Sequence, residues 1–130
     1  MTIRKMLVAG ALLSSLCSAA QAEILASGPV YGGPLSVGGS ITCRIFNPGL
    51  VAVAISVRQI FTNTNVPIVL ASDTCGVALA PNRYCAFTGR ITGNFAHSCK
   101  LIVTGVEVDL RGVAEAQNGG AAVLNTMPID

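Results

Sequence analysis

The chain has 130 residues, with eight Lys/Arg against six Asp/Glu, 11% charged residues, 5% aromatic residues and no tryptophan. It has neither a basic cluster nor an Arg/Lys stripe interleaved with rings, which excludes a surface built to grip a phosphate backbone and, with it, a nucleic-acid partner. So few charges and rings leave the core to Val, Ile, Leu and Ala, and the surface to Thr, Ser, Asn and Gly.

The N-terminus reads as an export signal. Arg4 and Lys5 give a positive start, Met6–Leu16 is apolar or small, and Ala20 and Ala22 stand in A-x-A positions before Glu23. The apolar run is shorter than the ~20 residues a transmembrane helix needs, and no second such run follows. Cys17 is preceded by Leu16, where a lipoprotein signal would carry a small residue, so cleavage is expected after Ala22 and Cys17 leaves with the peptide. Residues 1–22 are thus the expected signal peptide and residues 23–130 a single domain with no membrane span. Removing 22 of the 130 residues leaves 108, enough for one core. The mature chain carries Arg44, Arg58, Arg83, Arg90, Lys100 and Arg111 against Glu23, Asp73, Glu107, Asp109, Glu115 and Asp130, a formal charge of zero.

From there on the pattern is that of strands. Ile24–Tyr31 is the first. In Ser40–Asn47, Ile41, Cys43 and Ile45 share one face, and Thr42, Arg44 and Phe46 share the other. Asn47-Pro48-Gly49 has turn chemistry. Leu50–Phe61 resumes with Val51, Val53, Ile55 and Val57 against Ala52, Ala54, Ser56 and Arg58, a β-branched run unsuited to a helix. Apolar residues on both of its faces suggest burial on both sides, or an outer face that meets a partner. Val66–Ala71 carries Pro67 and suits an edge. Ser72–Arg83 reads as a loop, then Tyr84–Thr92 and His97–Thr104 as strands. In Val106–Ala116, Val106, Val108 and Leu110 alternate with Glu107, Asp109 and Arg111, and Gly112 is expected to mark a bulge because Val113 breaks the phase. Asn118-Gly119-Gly120 signals a hairpin into a last strand, Ala121–Thr126. About eight short strands at regular spacing predict an all-β antiparallel sandwich or barrel.

Four cysteines remain after cleavage, and an even number in a short exported chain argues for a disulfide framework, with three pairings allowed. Cys75 and Cys85 flank one loop and could clasp it. Cys43 and Cys99 lie on the apolar phase of two strands, where a bond would tie two sheets through the core. The spacings of 32, 10 and 14 residues match neither paired zinc ligands nor a C-x-x-C redox motif.

Ile41–Asn47, Asp73–Cys85 with its Leu-Ala-Pro-Asn-Arg-Tyr-Cys ending, and Cys99–Leu101 together resemble the small exported Ig-like β-sandwich proteins of Gram-negative bacteria. The resemblance covers Ser40–Ala116 and implies an Ig-like architecture of about seven to eight strands. It carries over no catalytic or binding residues. The core tryptophan of antibody domains is absent.

Chemistry is sparsely represented. His97, the one histidine, has Ser98 beside it pointing to the opposite face, so no nucleophile–base pair is readable. A blue-copper site takes two histidines, and here His97, Cys99 and Met127 would supply only one. Glu107 and Asp109 are explained by a charged outer face. Gly32-Gly33 and Gly38-Gly39 lack a phosphate-loop pattern. The expectation is therefore a periplasmic or secreted binding or structural module without catalysis, cofactor or metal. Its partner would be another protein or a cell-envelope component. Pro81, Asn82, Arg83 and Tyr84 form its candidate recognition loop, since Tyr and Arg favour binding hot spots and a stapled loop loses little entropy on docking. The alternative is a small secreted effector, a hydrolase using His97 or a protease-inhibitor-like protein using the Arg83 loop. A pilus-type assembly subunit would require a missing or exposed strand that a partner fills.

Overall fold

The computed structural model describes residues 19–106 and 108–130. The expected signal peptide through Ser18, Cys17 included, and Glu107 lie outside the described residues. Among the described residues nine strands follow one another: β1 Gln21–Ala26, β2 Ser40–Phe46, β3 Val53–Thr62, β4 Leu70–Asp73, β5 Ala78–Leu79, β6 Tyr84–Arg90, β7 His97–Gly105, β8 Arg111–Gln117 and β9 Val123–Ile129. One 3-10 turn, Pro34–Ser36, lies between β1 and β2. No helix among the described residues is long and apolar enough to cross a membrane.

The strands form two antiparallel sheets, β1-β7-β3-β5 and β4-β6-β2-β8-β9, and the chain is a β-sandwich. Period-2 alternation is its cause. Ile41, Cys43 and Ile45 of β2 are buried while Arg44 and Phe46 are exposed. On β7, His97, Cys99, Leu101 and Val103 all point inward. Each side hides an apolar row from water, at about 25 cal/mol per Å2. As composition required, the buried core is aliphatic, and Phe87 is its one aromatic ring among the described residues.

Both sides of the sandwich are closed. On one, β1 of the first sheet meets β9 of the second: Ala26 N donates to Asp130 O at 3.0 Å, and Ser27 bridges Ile129. On the other, Arg58 of β3 reaches Asp73 at the end of β4. Through the middle runs a disulfide between Cys43 and Cys99, whose Cα atoms are 6.1 Å apart. A second joins Cys75 to Cys85.

Several elements differ from the sequence reading. The long strand does not keep one phase. A bulge between Ile55 and Val57 shifts its register against β7, so that Arg58 rather than Val57 stands opposite the inward Leu101, and Ile60 opposite Cys99. The run from Val106 does not form one strand: β8 starts at Arg111, Val106 is 59% exposed and Asp109 pairs with Arg111 across the entry turn. Gly112 is not a bulge. It pairs in register with Ile45 and Ile129, and a Cβ there would sit 2.9 Å from Ile129 Cβ and 3.0 Å from Ile45 Cδ1. Glycine is required by close approach, and the inward phase continues unbroken through Ala114 and Ala116. The loop at Ser72–Arg83 yields its first residues to β4 and contains β5. Val66–Ala71 contributes only Leu70 and Ala71 to β4, and Pro67 makes an isolated bridge to Phe61. Finally, β1 starts earlier than expected and β9 ends later, at Ile129.

Candidate binding face

The site grows from one buried side chain. Asn47 follows β2 at the end of the sandwich and is fully buried. Its Nδ2 donates to Val51 O and Leu79 O, each at 2.9 Å, and its Oδ1 accepts from Gly49 N at 2.9 Å. Its backbone N donates to Arg83 O at 3.0 Å, and its carbonyl accepts from Asn82 N at 2.7 Å. One residue therefore ties together the β2–β3 loop, β5 and the turn before β6. Without these bonds, several buried polar groups would lose their partners.

The candidate recognition residues Pro81, Asn82, Arg83 and Tyr84 lie on that tied segment. Arg83 N donates to Ala80 O at 3.3 Å, with Pro81 second and Asn82 third in the turn. Asn82 has φ 56°, a left-handed conformation that asparagine tolerates. The segment is thus a tight turn clamped against the β2–β3 loop. Its base is fixed again by the Cys75–Cys85 bond and by Thr74, whose Oγ1 accepts from Ala86 N at 2.9 Å. Pro81 is half-buried, while Asn82 and Arg83 are exposed.

Tyr84 opens β6 and is 76% exposed. Sheet register then assembles what no single segment shows. Tyr84 stands opposite Phe46, and Phe46 stands opposite Arg111 on its other side. Arg44 stands one pair further along the same outer face, beside Val113. These residues, with Ile45 and Gly112, line a hollow of about 530 Å3. Arg44 Nε is held by Glu115 at 3.0 Å, and Gln117 Nε2 also donates to that carboxylate. Arg111 is held by Asp109 at 3.0 Å. Each guanidinium group keeps N–H donors for a ligand beside its carboxylate. Leu50, Val51 and Val77 are exposed at the same end, the first at 94%. Phe46, Arg44 and Arg111 were not among the expected site residues. Their outward phase was readable, but their adjacency to Tyr84 required the pairing of β6, β2 and β8.

The residues considered for chemistry are placed apart. His97 is buried on the inner face, and loss of hydration lowers its pKa below the ordinary imidazole value, while the Phe95 backbone acts in the opposite direction. Asp73 is engaged by Arg58 and Asp109 by Arg111. Cys99 is committed to its disulfide, and Met127 packs against the core. Among the described residues no three His, Cys, Asp or Glu side chains converge as a metal site. No protein-family model matches the chain, nor does any curated protein or solved structure.

Proposed function

We propose that the protein is an exported, disulfide-stapled, Ig-like module that acts by binding, without catalysis, through the face built on Tyr84, Phe46, Arg44 and Arg111. The observation that carries this reading is the pair of exposed rings, Tyr84 beside Phe46, on a sheet anchored by two disulfides and flanked by Arg44 and Arg111. Rings and guanidinium groups on a rigid support bind with little ordering cost. The partner is a protein or envelope component with apolar and acidic groups.

The Ig-like assignment is supported by strand order. In a domain of that kind the B strand lies beside E and then D, C lies beside F, and a disulfide joins B to F. Here β2 lies beside β6 and then β4, β3 lies beside β7, and Cys43 of β2 is bonded to Cys99 of β7. The flanks depart from that plan: β1 takes the place beside β7, and β8 the place beside β2. Export is supported by the leader and by the two disulfides, which persist in oxidising compartments. The absence of catalysis is supported by the surroundings of His97, whose ring faces the core.

The test has two parts. Protein recovered from the periplasm or medium should begin at Glu23 by N-terminal mass spectrometry. Photo-crosslinking from position 113 in intact envelopes should yield a discrete adduct, and Tyr84→Ala should reduce its yield about tenfold, with circular dichroism unchanged. An adduct insensitive to Tyr84→Ala, in a folded variant, would place recognition elsewhere.

A further inference from the structure

A second hollow, of about 520 Å3, lies on the outer side of the other sheet, where the end of β1, the end of β3 and the start of β7 meet. This volume falls within the range of small-ligand sites. Its apolar wall includes Phe61, Pro29 and Ala96. The rim is set by backbone bonds: Asn63 N donates to Ala96 O at 3.0 Å, and Asn65 N to Thr62 O at 3.0 Å, with Asn65 at φ 58°.

Five polar residues line the same space: Thr62, Asn63, Asn65, Ser98 and Lys100. Thr62 spends its hydroxyl on Thr64 and Val66. Lys100 forms no ion pair among the described residues, whereas Arg44, Arg58 and Arg111 each hold a carboxylate. Its Nζ instead lies 5.9 Å from the centroid of the Phe61 ring. That contact holds the ammonium beside the apolar wall without neutralising it. The hollow therefore offers a cation, two amides and a hydroxyl around an aromatic ring.

We propose that this hollow binds a sugar acid, with the carboxylate on Lys100 Nζ. The hydroxyl groups would face Asn63, Asn65 and Ser98, and the C–H face of the sugar ring would lie against Phe61. A neutral sugar would forgo the charge-assisted bond to Lys100, and a purely aliphatic acid would forgo the bonds to the two amides. Because the hollow belongs to the other sheet, it is independent of the Tyr84 face.

The test is an NMR titration of the exported protein with digalacturonate, alongside neutral digalactose and a short N-acetylated peptide with a free C-terminus. Digalacturonate should shift the amides of Phe61, Ser98 and Lys100 at millimolar concentration, and added salt should weaken binding. Lys100→Gln should cost about tenfold or more in affinity, the scale of a charge-assisted hydrogen bond. Digalactose and the peptide should bind more weakly by at least that factor. Phe61→Ala should also weaken binding; if it does not fold, the Lys100→Gln result and the wild-type shift map decide. No shifts at millimolar digalacturonate, shifts confined to other residues, equal binding of digalactose, tighter binding of the peptide, or a neutral effect of Lys100→Gln would each overturn the assignment.

Discussion

At the scale of single residues, burial converts ordinary polar groups into determinants of stability. His97 is 3% exposed, and desolvation lowers its pKa. The folded chain therefore takes up this proton less readily than the unfolded chain, in which the value is about 6.5. Stability from this source is fully present above about pH 6.5 and is lost as the pH falls through that value toward the lowered one. Thermal melts from about pH 7.5 down to about pH 5 should show a falling midpoint, and His97→Gln should flatten the slope. Equal slopes in both proteins would assign the pH dependence to other groups. Asn47 teaches the same lesson without titration. Its Asn-Pro-Gly context announces a turn, but nothing local announces that its side chain will be fully buried and bonded to Leu79, 32 residues away.

At the scale of elements, one bulge in β3 decides how the sandwich closes. Strict alternation placed Arg58 outside with Ser56. The register shift between Ile55 and Val57 turns it inward, and it reaches Asp73 Oδ2 at 2.6 Å while Nη1 donates to Ile55 O and Gly76 O at 3.4 Å. Asp73 also accepts from Cys75 N at 2.9 Å. Its carboxylate thus holds both an arginine from the facing sheet and the start of the clasped loop. Asp73→Ala should cost about 1–3 kcal/mol in urea unfolding, because two donors lose a partly buried charged partner. Glu115→Ala removes a bond to the more exposed Arg44 and should cost under about 1 kcal/mol. A cost for Asp73→Ala no larger than that would show that the second side closes without this pair. β2, β6 and β7 were legible because their alternation runs unbroken. β5, two residues long, was not, because a strand that short exists only through its pairing with β3.

At the scale of the molecule, the two disulfides differ in what they constrain. Cys43–Cys99 spans 56 residues and joins the sheets, and Cys75–Cys85 spans ten within one loop. In the chain-entropy model the first contributes about 4 kcal/mol and the second about 2.5–3 kcal/mol. For a domain of 5–15 kcal/mol total stability, losing the first is severe. The double variant Cys43→Ala/Cys99→Ala should unfold at markedly lower urea than Cys75→Ala/Cys85→Ala. The loop variant should remain folded. The reverse order would place the main constraint in the loop.

What the sequence determined by itself is whatever repeats along the chain or depends on residue type: the all-β class, the aliphatic core and the strands with unbroken alternation. The pairing Cys43–Cys99 and Cys75–Cys85 was also readable, because strand phase and loop position left the other pairings less fitting. Tertiary structure alone decided what depends on strands distant in sequence lying side by side. That includes the order of the strands in the two sheets, the inward turn of Arg58, the close approach that requires Gly112, and the meeting of Tyr84 with Phe46 and Arg111. The physical reason is range. Alternation and turn chemistry act over a few residues, whereas register is fixed by which apolar faces can be buried together, and that is settled across the whole sheet.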